Sequence, residues 1–162
     1  MYLNIKDIND NIPKVNGLIL VPFLVEHAMD ISEGEFEGYS AQRMVGVRQL
    51  LESQAQYGFA FTCFYYGKPV ACFGCVPLWN GVAEMWSVIG DVARTRPIAM
   101  TKIGITLADM AEISMGLHRL QITVKTSDAR AISWGKAIGF ISECTMKQYS
   151  EDKQDYDLMV RR

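Results

Sequence analysis

The residues that first suggest chemistry are four cysteines, because Cys72-Phe73-Gly74-Cys75 has the form of a redox or zinc CxxC. The surroundings predict otherwise. Phe59 to Tyr65 and Val70 to Val76 are short runs rich in aromatic and β-branched residues, joined by the turn-forming Tyr66-Gly67-Lys68-Pro69. The pair therefore lies on a hairpin strand, where residues three apart point to opposite faces unless Gly74 carries a bulge. A redox pair sits instead at a helix start, where the macrodipole lowers a thiol pKa. A zinc site needs a second close ligand pair, and His27 and His118 stand alone. Cys63, Cys72, Cys75 and Cys144 are read as small apolar core residues, and no metal is expected. Charge is more informative. Glu26, Asp30, Glu33, Glu35 and Glu37 lie between Val15 and Gln42 with no Lys or Arg among them. Taken alone they are a solvated loop placed before a helix N-terminus. A basic turn, Arg94-Thr95-Arg96, stands directly before Pro97.

The elements that position these residues follow from periodicity. Ser40 to Gln54 carries Met44, Val47 and Leu51 at helical spacing, opposed by Gln42, Arg43, Gln49 and Glu52. Phe59 to Tyr65, Val70 to Trp79 and Val82 to Ile89 then read as an antiparallel meander, with Asn80-Gly81 a strong hairpin signal. A helix starts at Pro97 and ends at Gly116, with Ile103, Leu107, Met110, Ala111 and Ser114 as its inward stripe. His118 follows that C-terminus, where a cation is favoured. Leu120 to Lys125 is a strand, Ser127 or Asp128 N-caps a helix through Ile138, and Gly139 fits its left-handed C′ position. Ile141 to Tyr149 and Tyr156 to Val160 close the chain as strands. The start is less determined, with a strand at Leu3 to Ile8 or Leu18 to Phe23 and a helix around Phe23 to Met29.

Composition bounds the function. The chain has 162 residues, 49% of them hydrophobic, enough for a core without staples in one domain over 1–162. A formal charge of −2 gives no global field for nucleic acid. The longest apolar run, Gly17 to Val25, is interrupted by Pro22 and falls far short of the roughly 20 residues that span a bilayer. The N-terminus lacks the charged-then-apolar order of a signal peptide, so a cytoplasmic protein without disulfides or membrane contact is expected.

One stretch resembles the second conserved block of the GCN5-related N-acetyltransferases. It comprises Arg119-Leu120-Gln121-Ile122-Thr123-Val124, then Asp128, Ala131, Ile132 and Trp134, then Gly139-Phe140. Upstream, Glu84-Met85-Trp86-Ser87-Val88 and Arg94-Thr95-Arg96-Pro97-Ile98-Ala99 stand where that family has its central strand and pyrophosphate loop. The resemblance implies an α/β (α+β) fold, a mixed central sheet of about six to seven strands flanked by about four helices. The chain departs from the family twice. Pro97 takes the first Gly of the loop and removes a donor, while Gly135 replaces a Tyr that protonates the leaving thiolate in many members.

The activity so implied is acetyl-CoA-dependent N-acetylation by direct attack of a primary amine. Glu84 would be the base, or simply a strand carboxylate facing solvent or an Arg. A backbone N–H at Ser87 or Val88 would polarise the carbonyl. Arg94, Arg96 and the N–H groups of Ile98 and Ala99 would hold the pyrophosphate. Ser127, as a candidate catalytic hydroxyl, and Asp128 would stand near the pantetheine arm, though both are already explained as N-caps. Tyr65 and Tyr149 offer hydroxyls, yet aromatic strand positions usually serve the core. In the family the region of the acidic stretch covers the acceptor, which suits a small cationic amine or a protein lysine. A narrower similarity to acetyltransferase-like bacteriophage proteins, including internal virion proteins, implies a noncatalytic alternative acting on a host or virion protein. An edge strand near the C-terminus leaves a homodimer open.

Overall fold

In the computed structural model, which describes residues 3–31 and 39–162, the chain opens with helix α1 (Ile5–Asn11) where one of the two alternative strands lay. The correction has a local cause. Asn4 caps the helix by accepting from the Lys6 N–H, and Ile8 and Ile12, four apart, are buried on one side. Asn9 then ties α1 to the next strand, donating to the Leu20 carbonyl and accepting from the Leu20 N–H, both at 2.9 Å. That strand is β1 (Leu18–Pro22), followed by α2 (Val25–Ile31) and α3 (Ala41–Tyr57), the latter capped by Ser40. Glu33, Glu35 and Glu37 lie outside the described residues. Glu26 does not stand free: its own backbone N–H, and then Arg48 of α3, which donates to it at 2.5 Å, lower its pKa.

The meander forms as expected from β2 (Phe59–Tyr65), β3 (Lys68–Trp79) and β4 (Val82–Ile89). A short helix that periodicity did not reveal, α4 (Asp91–Arg94), leads into α5 (Pro97–Met115), and Gly116 closes α5 with φ 60°. Next come β5 (Arg119–Lys125), α6 (Ala129–Ile138), β6 (Ile141–Met146) and β7 (Tyr156–Arg161). Strand β6 stops three residues short of Tyr149, with Gln148 at φ 51° in the turn beyond it. The described residues thus hold six helices, α1 and α4 beyond the expected four. No described helix is long and apolar enough to cross a membrane.

The strands form one mixed sheet in the order β1-β2-β3-β4-β5-β7-β6. Every pairing is antiparallel except β4 with β5, whose parallel register requires the crossover that α4 and α5 provide. One face is covered by α1, α5 and α6 through Ile8, Ile103, Leu107, Ala111 and Ile138. On the other, α2 and α3 pack Val25, Ala28, Ile31 and Leu51 against Cys72 and Val88. At the sheet edge, β6 is blunted by a register shift between Ser142 and Cys144 and by Glu143, which pairs with Arg119.

The alternation places Cys75 in the first core and Cys72 in the second, with unbroken β3–β4 pairing through Gly74. Cys144 departs from the expected core role, being exposed. Gly74 has a separate task. A Cβ there would stand 2.2 Å from the Trp86 indole, which lies across it. Gly74→Ala is expected to destabilise the protein by about 1–3 kcal/mol through overpacking, lowering Tm by roughly 3–10 °C, as differential scanning fluorimetry would read. Burial pushes the Cys63 and Cys75 thiols up to about 12. Above the ordinary value of 9.0, an unfolded chain releases protons that these folded thiols keep, so they erode stability as pH rises from 9.0 towards 12. At pH 8 a thiol reagent should therefore label Cys144 alone in the native protein and all four cysteines in denaturant, which mass spectrometry can count.

Candidate functional site

The parallel pairing of β4 with β5 lasts for only three residue pairs, Val82 with Arg119, Ala83 with Leu120 and Glu84 with Gln121. Beyond them β4 continues to Ile89 beside β3, and β5 continues to Lys125 beside β7. The two strands part, leaving an opening at their carboxyl ends, where ligands bind in open α/β sheets. Hydrogen-bond parity shows what lines it. The Gly90 N–H donates to the Val70 carbonyl, so Val88, Trp86 and Glu84 share its parity and direct their backbone groups at β3. Met85, Ser87 and Ile89 consequently direct theirs into the opening. Of the two candidate N–H groups, Ser87 faces the opening and Val88 is committed to β3. From the opposite side, Thr126 donates to Asp155 in the β7 direction, so Thr123 and Lys125 turn towards β4.

Helix N-termini stand at the mouth. Pro97 occupies the first turn of α5, and its N-cap, Arg96, makes no side-chain capping bond, so the N–H groups of Ile98 and Ala99 lack helical partners. Such groups favour an anion. Ile98 is 72% exposed and Ala99 half-buried. Arg96 is held beside them, its Nη2 donating to Tyr65 Oη at 2.7 Å and its guanidinium 5.1 Å from the Tyr65 ring centroid. Arg94 pairs with Asp91 on α4 at 2.9 Å. At the α6 N-terminus, Asp128 is the cap, accepting from the Ala131 N–H at 3.0 Å, and Ser127 is exposed in the turn before it.

Glu84 lies at the closed base of the opening, half-buried, on the face covered by α2 and α3. Gln121 Nε2 donates to its Oε2 at 2.9 Å. Arg119 Nε in turn donates to Gln121 Oε1 at 3.0 Å, and because a guanidinium only donates, it fixes which end of the amide faces Glu84. Arg119 is itself anchored to Glu143 at 2.9 Å. The structure separates the two candidate catalytic residues. Four strand residues lie between Gln121 and the end of β5, so Ser127 is at least about 13 Å along the strand from Glu84. Its place at the mouth suits a binding contact and is too far for proton transfer at Glu84.

The Glu84 face also carries Tyr149, from the turn after β6 and 53% exposed, whose ring is 5.4 Å from that of Tyr156. Burial, and then the Glu84 charge, raise the Tyr149 pKa. Nearby, Arg43 of α3 stacks on Tyr39, 3.6 Å from its centroid, and pairs with Glu151 of the same turn at 3.4 Å. These residues border a hollow of about 530 Å³ together with Val47 and Leu50. Sequence reasoning did not assign Gln121, Arg43 or Glu151 to the site, since only strand register and the fold of the β6–β7 turn bring them there.

Position 135 is crowded for a side chain. A Cβ on Gly135 would meet Ile122 Cδ1 at 3.1 Å and Met159 Sδ at 3.2 Å, so α6 lies directly on β5 and β7.

A scan against protein-family models gives no match, nor does a search of curated protein sequences. Solved structures do match. A ribosomal L7/L12 alpha-N-protein acetyltransferase in complex with coenzyme A aligns with TM-score 0.72 and 13% identity over 93% of this chain and 96% of that one. Ard1 from Thermoplasma volcanium aligns with TM-score 0.69 and 14% identity over 90% and 97%. A mutant spermidine N-acetyltransferase from Vibrio cholerae aligns with TM-score 0.67 and 14% identity over 91% and 94%. At these identities the likeness is one of architecture: the chain has the fold of the GCN5-related N-acetyltransferases.

Proposed function

We propose that the protein transfers an acetyl group from acetyl-CoA to an amine, with the opening between β4 and β5 as the place where donor and acceptor meet. The observation that carries this reading is the early end of the β4–β5 pairing beside two helix N-termini. Structural neighbours named as acetyltransferases, two of them solved with coenzyme A or acetyl-CoA, support the same reading.

The residues present fit the donor. The exposed backbone groups of Ser87 and Thr123 suit the amides of a pantetheine arm, and the free N–H groups of Ile98 and Ala99 with Arg96 suit its pyrophosphate. Arg94 reaches this charge only by giving up Asp91. Asp128 and Ser127 border the arm's entry. Acetyl-CoA supplies a thioester carbonyl open to attack by a neutral amine. The Ser87 N–H, fixed by β4, is the donor placed to polarise that carbonyl. Glu84, on the opposite face, attracts an ammonium and takes its proton directly or through one water, with Gln121 holding the carboxylate in place. Tyr149, protonated beside Glu84, is a hydrogen-bond partner for the acceptor. The acceptor is a small amine or the amine of a protein chain, as in the neighbours named for spermidine and for a ribosomal protein.

Titration calorimetry tests the reading: acetyl-CoA should bind with release or uptake of heat, and no heat together with no rise in Tm at millimolar ligand would refute it. Arg96→Ala should weaken binding about tenfold or more and reduce its salt sensitivity. Glu84→Gln should preserve binding and lower kcat by roughly a hundredfold towards a polyamine or peptide acceptor; unchanged kcat would remove Glu84 as base.

A further inference from the structure

Helix α2 has seven residues, too few to hold as a helix without tertiary anchors. Val25, Ala28 and Ile31 anchor it by burial. A further anchor is polar. His27 Nδ1 lies 2.8 Å from Thr62 Oγ1 on β2 and receives the Leu24 N–H at 3.2 Å, while its ring meets that of Phe64 edge-on, 5.0 Å between centroids. A backbone N–H only donates, so Nδ1 is the unprotonated nitrogen and the neutral ring carries its proton on Nε2. The direction of the next bonds follows. Thr62, fully buried, donates its hydroxyl proton to Nδ1, and its oxygen accepts from the Cys72 thiol, 3.6 Å away. Protonation of the imidazole reverses this chain. Nδ1–H then donates to Thr62 Oγ1 and Thr62 donates to Cys72 Sγ, so the buried hydroxyl keeps a partner in both states. Only Leu24 loses its bond, because its N–H then faces another N–H.

We propose that His27 is a pH-operated latch on α2: the neutral imidazole closes the start of the helix onto β2, and the imidazolium opens it. The surrounding charges permit both states. On α2 itself Glu26 precedes His27 and feels its charge, and Asp30 stands one turn on. Arg48 of α3, shared between Glu26 and Glu52, opposes a second cation. Among the described residues, β2 presents Thr62 and Phe64, β3 presents the Cys72 thiol by way of Thr62, and the titratable side chain of β4 on this face is Glu84. The latch reaches the site through Phe23, the residue before Leu24, whose ring packs edge-on against Trp86 at 5.5 Å between centroids. Trp86 shares a strand face with Glu84, two residues away. Acidification therefore loosens the wall beside the proposed base and weakens capture of the acceptor. That tie to the acceptor rests on the acetyl-transfer reading, and the latch itself does not.

Imidazole nitrogen shifts and the Leu24 amide proton, followed by NMR from about pH 8 to about pH 5, test the latch without any activity. His118→Gln leaves His27 as the sole histidine, which assigns its signals. At the upper end Nδ1 should carry no proton, and on acidification the Leu24 amide should move with the midpoint of the His27 ring. His27→Asn keeps an acceptor there that does not titrate, so its Leu24 amide should stay still. A proton on Nδ1 at the upper end, or a Leu24 amide unmoved while the ring titrates, overturns the latch, and the wild-type titration decides this even where His27→Asn folds poorly. For the acceptor, the ratio of KM between wild type and His27→Asn, with spermidine or a peptide amine, cancels ionisation of the amine itself. It should rise about fivefold over the same range, one hydrogen bond's worth. A constant ratio with a moving Leu24 amide overturns the tie to the acceptor alone. Wild-type protein that neither binds acetyl-CoA nor acetylates an amine overturns the acetyl-transfer reading and that tie, while the amide titration still judges the latch.

Discussion

The separation of β4 from β5 after Glu84 and Gln121 is the constraint on which the site depends. Two adjacent parallel strands that stop pairing expose backbone donors and acceptors, which are costly unless something else engages them. The separation persists because each strand is committed elsewhere. Strand β4 runs in register with β3 through Ile89, and β5 runs with β7 through Lys125. The twist natural to neighbouring strands then drives the two halves of the sheet apart. Each diverging strand feeds a helix, α5 by way of α4 and α6 directly, so two positive helix ends fall at the same mouth.

The sheet consequently divides two kinds of chemistry by face. On the α5 and α6 side stand donors suited to an anion: the first N–H groups of α5 and the Arg96 guanidinium braced by Tyr65. The other side carries Glu84, Gln121 and Tyr149, walled by the Arg43 and Glu151 contact between α3 and the β6–β7 turn. An anion and a cation can thus approach through the opening from opposite faces without sharing a binding surface. Tyr65 shows how residues remote in sequence are recruited. It ends β2, far from Arg96 along the chain, yet its hydroxyl fixes the guanidinium beside the helix that lost an N–H to Pro97.

Much of this scaffold was legible in the sequence because its signals are local. Pro97 and Gly116 bounded α5, Asp128 and Gly139 bounded α6, and Asn80-Gly81 marked the β3–β4 hairpin. Where signals were short or competed, the reading failed or stayed open. Three apolar residues in Leu3 to Ile8 suit a strand as well as a helix, and only the Asn4 cap and the Asn9 bonds to Leu20 decide. The extent of a parallel register leaves no pattern in either strand. Glu84 was identifiable by resemblance, whereas Gln121 became its partner only through that register. The acidic charge of Glu26 was legible, but its pairing with Arg48 required the packing of α2 on α3.

Gly135 shows why a lost side chain need not leave a vacancy. Were Tyr removed from an otherwise unchanged site, a cavity would remain, with a cost that scales with its volume. Here Ile122 and Met159 lie so close that even a Cβ is crowded, so the loss is built into the packing of α6 on the sheet. A side chain at 135 requires Ile122 and Met159 to shift. Hydroxyl chemistry at this opening must then come from outside α6. Tyr149 presents a hydroxyl on the acceptor face, in a turn held by Arg43 through Glu151, its pKa raised by burial and then by the Glu84 charge. On the donor face the Tyr65 hydroxyl is engaged with the Arg96 guanidinium. In the proposed reaction a thiolate departing on that side would take its proton from water, which a thiolate, stable near neutral pH, tolerates better than an alkoxide would.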